Sequence, residues 1–258
     1  MWPRITTDKK FLIVGAIILV VLVIIRIVTI YLQEEEDNLY LALGDSLAYG
    51  QQYDGKSGKS YADVLGEYLI EKKLILNYSK LFTKPKMTSG ELLEIVENNA
   101  SVIKGKGQIH FYTQLKRAKY VTISVGFEEI FKLVNVDFFH RTITYDQEAF
   151  ERNLSILALN LFHLVEEIKK EVNSENILLI GYYFPYPTLL TSVDESALKF
   201  IEDLNECIEE VSKDTSTKYV DITSLCTITF LPKEDGIYPD FTGYTYISTL
   251  IKKELFKI

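Results

Sequence analysis

The chain has 258 residues, 47% of them hydrophobic, and a formal charge of −8, a composition that supports a sizeable core and excludes a disordered tail. Of its 28 basic and 36 acidic residues, four and five fall before residue 38, leaving 24 and 31 in residues 38–258, a formal charge of −7. An acidic body of that kind argues against nucleic acid as a partner and against close docking on anionic lipid.

The first element, Phe11 to Leu32, is almost uninterrupted apolar sequence. At about 1.5 Å per residue it is long enough to cross a hydrocarbon layer of roughly 30 Å, and it is expected to be a single transmembrane helix. The run is longer than the apolar region of a typical signal peptide, the following TIYLQEEED lacks the small residues of a cleavage site, and no cysteine follows for lipid attachment. Arg26 lies under two turns from its end, where the stem reaches the interface. Arg4, Lys9 and Lys10 precede the run and Glu34, Glu35, Glu36 and Asp37 follow it, so the N-terminus is placed in the cytoplasm and the rest outside. The expected organisation is a cytoplasmic N-terminus (1–10), a membrane helix (11–32), an acidic juncture (33–37) and one exported domain (38–258).

Within that domain, strand and helix patterns alternate. Strand LYLALG (39–44) is followed by helix 61–73, strand 74–79, helix 89–103 and strand 120–126. Helix 146–172, strand 176–184, helix 194–213, strand 218–223 and helix 243–256 complete the series. Short apolar strands separated by longer periodic helices imply a parallel sheet covered on both faces. The longest helix carries Phe150, Leu154, Leu157, Leu161, Leu164, Ile168 and Val172 at spacings of three and four, one apolar stripe. Its His163 lies off the stripe and reads as an ordinary packed or solvated side chain. No repeat, low-complexity tract or Pro/Gly/Ser linker divides the domain, and reactive groups in such a sheet gather at the carboxyl ends of the strands. Two cysteines, Cys207 and Cys226, are compatible with a disulfide or with two separate thiols, and without a nearby His pair they form no structural zinc site.

Three stretches stand at those strand ends: GDSLAYG from Gly44, ISVGFEEI from Ile123, and DGIYPDFTGYTYIS from Asp235. Their order and placement resemble the GDSL, or SGNH, hydrolase family, whose members cleave esters and acyl groups with a serine nucleophile on a flavodoxin-like three-layer α/β/α fold. The resemblance covers nearly the whole exported domain. It implies that Ser46, in Gly44-Asp45-Ser46, is the nucleophile and helps to hold the oxyanion with its own N–H, and that Asp235 orients the base.

The chain departs from the family's pattern at the positions that do the chemistry. The closing Asp-x-x-His-Pro block reads Asp235, Gly236, Ile237, Tyr238, Pro239, so Tyr238 replaces the histidine. The family's Gly-x-Asn-Asp reads Gly126, Phe127, Glu128, Glu129, so Glu128 replaces the oxyanion-donating Asn, and the glycine of the second block falls near Lys86. A phenol with a pKa of about 10 is protonated at neutral pH and does not activate a serine. A carboxylate at the Asn position offers no donor and sets like charge where the oxyanion forms, and losing one such donor already costs about 10² to 10³ in rate.

His140, in the segment after the third block, is the candidate replacement base. Glu128, Glu129 and Asp235 offer a carboxylate pair or a hard-metal set, against the simpler expectation that Glu129 caps or begins a helix. Tyr182, Tyr183, Phe184 and Tyr186 end the fourth strand beside the site, as a cleft rim or as core. No cofactor and no metal is called for. The expectation is an extracytoplasmic, membrane-anchored pseudoenzyme binding an acyl ester, lipid or glycan in the former cleft, with an active acyl hydrolase as the alternative.

Overall fold

A computed structural model describes residues 7–36, 38–105, 107–193, 195–233 and 236–257, with side chains omitted for 7–13, 29–36 and 195–197. The first element, α1 (Thr7–Glu36), is one continuous helix, and its side chains from Val14 to Val28 are all exposed. Those described residues span roughly 22 Å at ~1.5 Å per residue, and no helix among the described residues is long and apolar enough to cross a membrane. The expected span, 11–32, runs beyond both ends of that described stretch.

The remaining chain forms β1 (Leu39–Gly44), the one-turn α2 (Ser46–Tyr49), α3 (Tyr61–Glu71), β2 (Asn77–Thr83) and α4 (Ser89–Glu97). The hairpin β3 (Ser101–Lys104) and β4 (Gly107–His110) follows, then α5 (Phe111–Leu115), β5 (Ala118–Ser124) and α6 (Phe127–Phe131). A second hairpin, β6 (Val134–Asp137) and β7 (Thr142–Tyr145), precedes α7 (Gln147–Ile168), β8 (Ile177–Ile180), α8 (Glu195–Asp214), β9 (Lys218–Val220) and α9 (Phe241–Phe256). Five strands make a fully parallel sheet in the order β2-β1-β5-β8-β9. Helices α3 and α9 pack together, as do α4, α7 and α8, giving the expected α/β architecture around a central parallel sheet.

Periodicity located most elements because burial created it. All six residues of β1 are buried, between β2 and β5, and the α7 stripe is buried at Phe150, Leu157, Leu161, Leu164 and Ile168. Among the boundaries that differ, two do so for plain local reasons. The second strand begins at Asn77, not Leu74, because Leu74 N–H closes α3 on Leu69 O and Leu76 N–H bonds Asn38 O; it is also an edge strand with weak alternation. The helix expected over 89–103 stops at Glu97, since Asn98 caps it and Asn99 turns left-handed at φ 45°, a conformation asparagine tolerates. Residues 101–104 then enter a hairpin. Cys207 and Cys226 are both free and half-buried, and burial pushes each thiol up to about 11.

One buried polar side chain ties a helix to the sheet beside the site. Asn205 on α8 accepts from Tyr182 N–H at 2.7 Å and donates to Tyr182 O at 2.8 Å, just past the end of β8. Asn205→Ala leaves both main-chain groups without partners, and a loss of about 2–4 kcal/mol in unfolding free energy is expected, read as a lower denaturation midpoint at unchanged m-value.

Candidate active site

The site is built on a backbone contact. At the carboxyl end of β1, Gly44 has φ +128°, and a Cβ there would lie 2.0 Å from Ser124 O of β5. Only glycine fits. The next N–H, from Asp45, bonds Ser124 O at 2.8 Å, and the chain turns into α2 with Asp45 as N-cap, its Oδ1 accepting from Leu47 N–H at 3.0 Å. Ser46 is therefore the first residue of a helical turn at the carboxyl edge of the sheet. Gly50, at φ +99°, closes that turn by donating to Ser46 O.

Two groups meet the Ser46 hydroxyl. Lys86 N–H donates to Ser46 Oγ at 3.0 Å, and Oγ donates to Tyr238 Oη at 3.2 Å. Lys86 has φ +59°, a left-handed backbone that a glycine adopts most readily. The phenol of Tyr238 is pushed further above 10 by burial and by the Asp45 and Glu128 carboxylates, with the Ser46 hydrogen bond opposing. At neutral pH it is a protonated phenol and does not accept the serine proton.

The carboxylates divide by environment. Glu128 lines the cleft, 3.8 Å from Lys86 Nζ, and burial raises its pKa while Lys86 opposes. Glu129 turns inward. Its Oε1 accepts a short hydrogen bond from Ser89 N–H, so it serves the N-terminus of α4 as well as standing in the first turn of α6. Its Oε2 is buried without a partner among the described residues. Asp45 is buried, and loss of water raises its pKa to about 7 although Tyr182 and Leu47 donate to it and pull the other way. Tyr182 Oη lies 2.7 Å from Asp45 Oδ2.

The cleft is lined by Asp45, Ser46, Lys86, Glu128, Tyr182 and Tyr238, with Leu47, Phe127, Tyr183 and Ile237 as its apolar wall, and encloses about 20 Å³, room for one water-sized group. Tyr183 Oη donates to Ile237 O at 2.8 Å, holding the segment that carries Tyr238. Tyr182, Tyr183, Phe184 and Tyr186 are all buried, the first two on the cleft wall and the others as core.

Among the described residues, no histidine lines the cleft. His140 sits in the turn between β6 and β7, exposed, with Nδ1 2.7 Å from Asp137 Oδ2. His140, the candidate replacement base, is not brought to the serine in this structure, because the residue follows its hairpin and its own carboxylate. His110 bonds Asn99 O at 3.3 Å, and His163 is exposed on α7. Asp235 lies outside the described residues. Among the described residues no cluster of three His, Cys, Asp or Glu is placed to hold a metal.

Sequence reasoning missed Asn205 and the bond between Tyr182 and Asp45. Asn205 had a signal: a polar residue on a helix face beside the buried Ile201, Leu204 and Ile208.

The central parallel sheet, with Ser46 at its carboxyl edge, is an α/β fold shared with solved esterases and lipases. The chain resembles, at the level of fold, the acetylxylan esterase Axe2 of Geobacillus stearothermophilus (TM-score 0.59, 16% identity, covering 85% of this chain and 94% of that one). It also resembles the lipase Lip_vut3 from a goat rumen metagenome (0.62, 18%, 84% and 97%) and a lipase/acylhydrolase from Enterococcus faecalis (0.55, 16%, 84% and 95%). In Axe2, variants with a serine or a histidine changed to alanine are catalytic mutants. By sequence the chain is 25% identical over 233 residues to the uncharacterized protein YpmR of Bacillus subtilis (strain 168), covering 85% of this chain and 84% of that one. No protein-family model matches it.

The buried Asp45 makes stability depend on pH. Its pKa is about 7 in the folded chain and about 4 in the unfolded one. Between those values the folded chain binds the extra proton, so this contribution is fully present below about pH 4 and is lost as pH rises through about 7. Relative to Asp45→Asn, the native chain should lose up to about 1.4 kcal/mol per pH unit across that window, measured by denaturant unfolding at stepped pH. Parallel curves would contradict the assignment.

Proposed function

We propose that this chain is a membrane-anchored, extracytoplasmic SGNH-type protein whose esterase chemistry is lost and whose former active-site cleft binds a ligand. One observation carries the reading: Ser46 Oγ is satisfied by Lys86 N–H and by the protonated phenol of Tyr238, and among the described residues neither a histidine nor a carboxylate accepts a hydrogen bond from it. A serine hydroxyl without a base is a poor nucleophile, and loss of a triad member removes on the order of 10⁴ to 10⁶ of the rate in serine hydrolases. In Axe2 a serine and a histidine are the positions changed in catalytic mutants; here the serine position is kept and Tyr238 stands where the family's histidine is expected. Glu128 adds a carboxylate at the cleft wall, a group unsuited to holding an oxyanion.

The anchor is α1, whose apolar side chains from Val14 to Val28 are exposed and whose flanking charges orient the N-terminus to the cytoplasm. The ligand classes are an acyl ester, a lipid or a glycan, of which only a small terminal group meets the enclosed space of about 20 Å³ while the rest lies outside the cleft. The alternative is an active acyl hydrolase using Ser46 with Asp235 and a base outside this arrangement.

Hydrolysis of a short-chain chromogenic ester separates the two. The native chain should show the same background rate as Ser46→Ala, and Tyr238→His should raise the rate above it if the rest of the cleft is competent. Turnover by the native chain that disappears in Ser46→Ala would overturn the reading.

A further inference from the structure

The strand direction and the length of the tether determine which way the cleft faces. Helix α1 ends at Glu36 and β1 begins at Leu39. Of the two residues between, Asn38 is already bound to the sheet, its carbonyl accepting from Leu76 N–H at 2.9 Å, and Leu39 N–H bonds Arg117 O at 2.8 Å. The chain therefore enters the domain at the amino edge of the sheet through a tether of essentially one residue. Ser46 lies at the opposite, carboxyl edge, beyond a six-residue strand that rises roughly 17 Å at ~3.3 Å per residue.

Inverting the domain to bring the cleft down to the bilayer is out of reach. A domain of roughly 220 residues is about 40 Å across. Even with residues 33–36 unwound, the six residues from 33 to 38 extend at most about 21 Å.

Charge supports the same orientation. The two turns beside the entry point, residues 71–76 and 115–119, hold Lys72, Lys73, Lys116, Arg117 and Lys119 against the single acid Glu71. The basic edge continues onto α9, where Lys252 lies 4.7 Å from the Tyr68 ring centroid that Lys72 approaches at 5.7 Å from the end of α3. This local surface is opposite in sign to the acidic body as a whole. The acidic run of residues 34–37, next along the chain to the entry point, is opposite in charge to it, a complement that draws the amino edge toward the membrane.

We propose that the anchored domain stands with the amino edge of its sheet toward the bilayer and its cleft facing away, so that its ligand is carried by a soluble molecule or a polymer beyond the membrane and is not a lipid of the anchoring bilayer. The proposal rests on the anchored reading above and narrows its ligand classes.

The test uses the full chain in phosphatidylcholine vesicles, with Cys207 and Cys226 replaced by serine. A single fluorophore is placed by Leu76→Cys at the amino edge or Phe241→Cys at the carboxyl edge, both exposed positions, and a headgroup-labelled lipid serves as quencher. Quenching several-fold stronger at position 76 than at 241 is the expected result. Equal quenching, or stronger quenching at 241, overturns the orientation while leaving the anchor standing. Failure of the chain to partition into vesicles overturns the anchor itself, and the orientation with it.

Discussion

The approach of the β1 backbone to Ser124 is the constraint on which the site depends. With no side chain allowed at Gly44, β1 and β5 lie close enough for Asp45 N–H to bond Ser124 O. That bond turns the chain away from the sheet edge and starts α2. Asp45 is thereby driven into a dry position where its carboxyl group holds its proton to about 7, and Ser46 is presented over the same edge. A bulkier residue at Gly44 would disturb register, capping and serine placement together, because one contact determines all three.

Around that turn the protein has built a layer of phenols. Tyr40, Tyr61, Tyr182, Tyr183 and Tyr244 are all buried, and each hydroxyl has a partner: Thr122, Ser124, Asp45, Ile237 O and Gln51 O in turn. Phenols supply polar contacts without bringing a formal charge into the interior, and burial raises their pKa values further. Tyr238 extends the layer to the cleft mouth. Where the family resemblance leads one to expect an imidazole able to take and return a proton near neutrality, the chain presents one more neutral hydroxyl.

Much of this was legible in the order of residues, and the reasons are specific. The run Leu39–Gly44 encodes the first strand in sequence-local terms and sets Ser46 just past its end, and the structure has the strand over the same six residues. The α7 stripe was legible because six turns of one helix share one buried face. The two hairpins were not, because β3–β4 and β6–β7 lie outside the main sheet and expose much of their length, so little burial imprints a period. At the site, Tyr238 and Glu128 were found by their place in motifs. The pinning of β8 by Asn205 and the coupling of Tyr182 to Asp45 join residues far apart in sequence, and no local pattern announces them. His140 shows the converse: a plausible base by sequence position was carried away by a hairpin that no motif describes.

The donor that Lys86 offers to Ser46 is a main-chain N–H. No exchange of side chain deletes it; only proline, or a segment that abandons the left-handed turn, takes it away. Side chains that accept a left-handed backbone can be exchanged there without touching this hydrogen bond, whereas a β-branched residue would strain the turn. A lysine here holds the left-handed backbone, so the hydrogen bond belongs to the turn and not to the letter at this position.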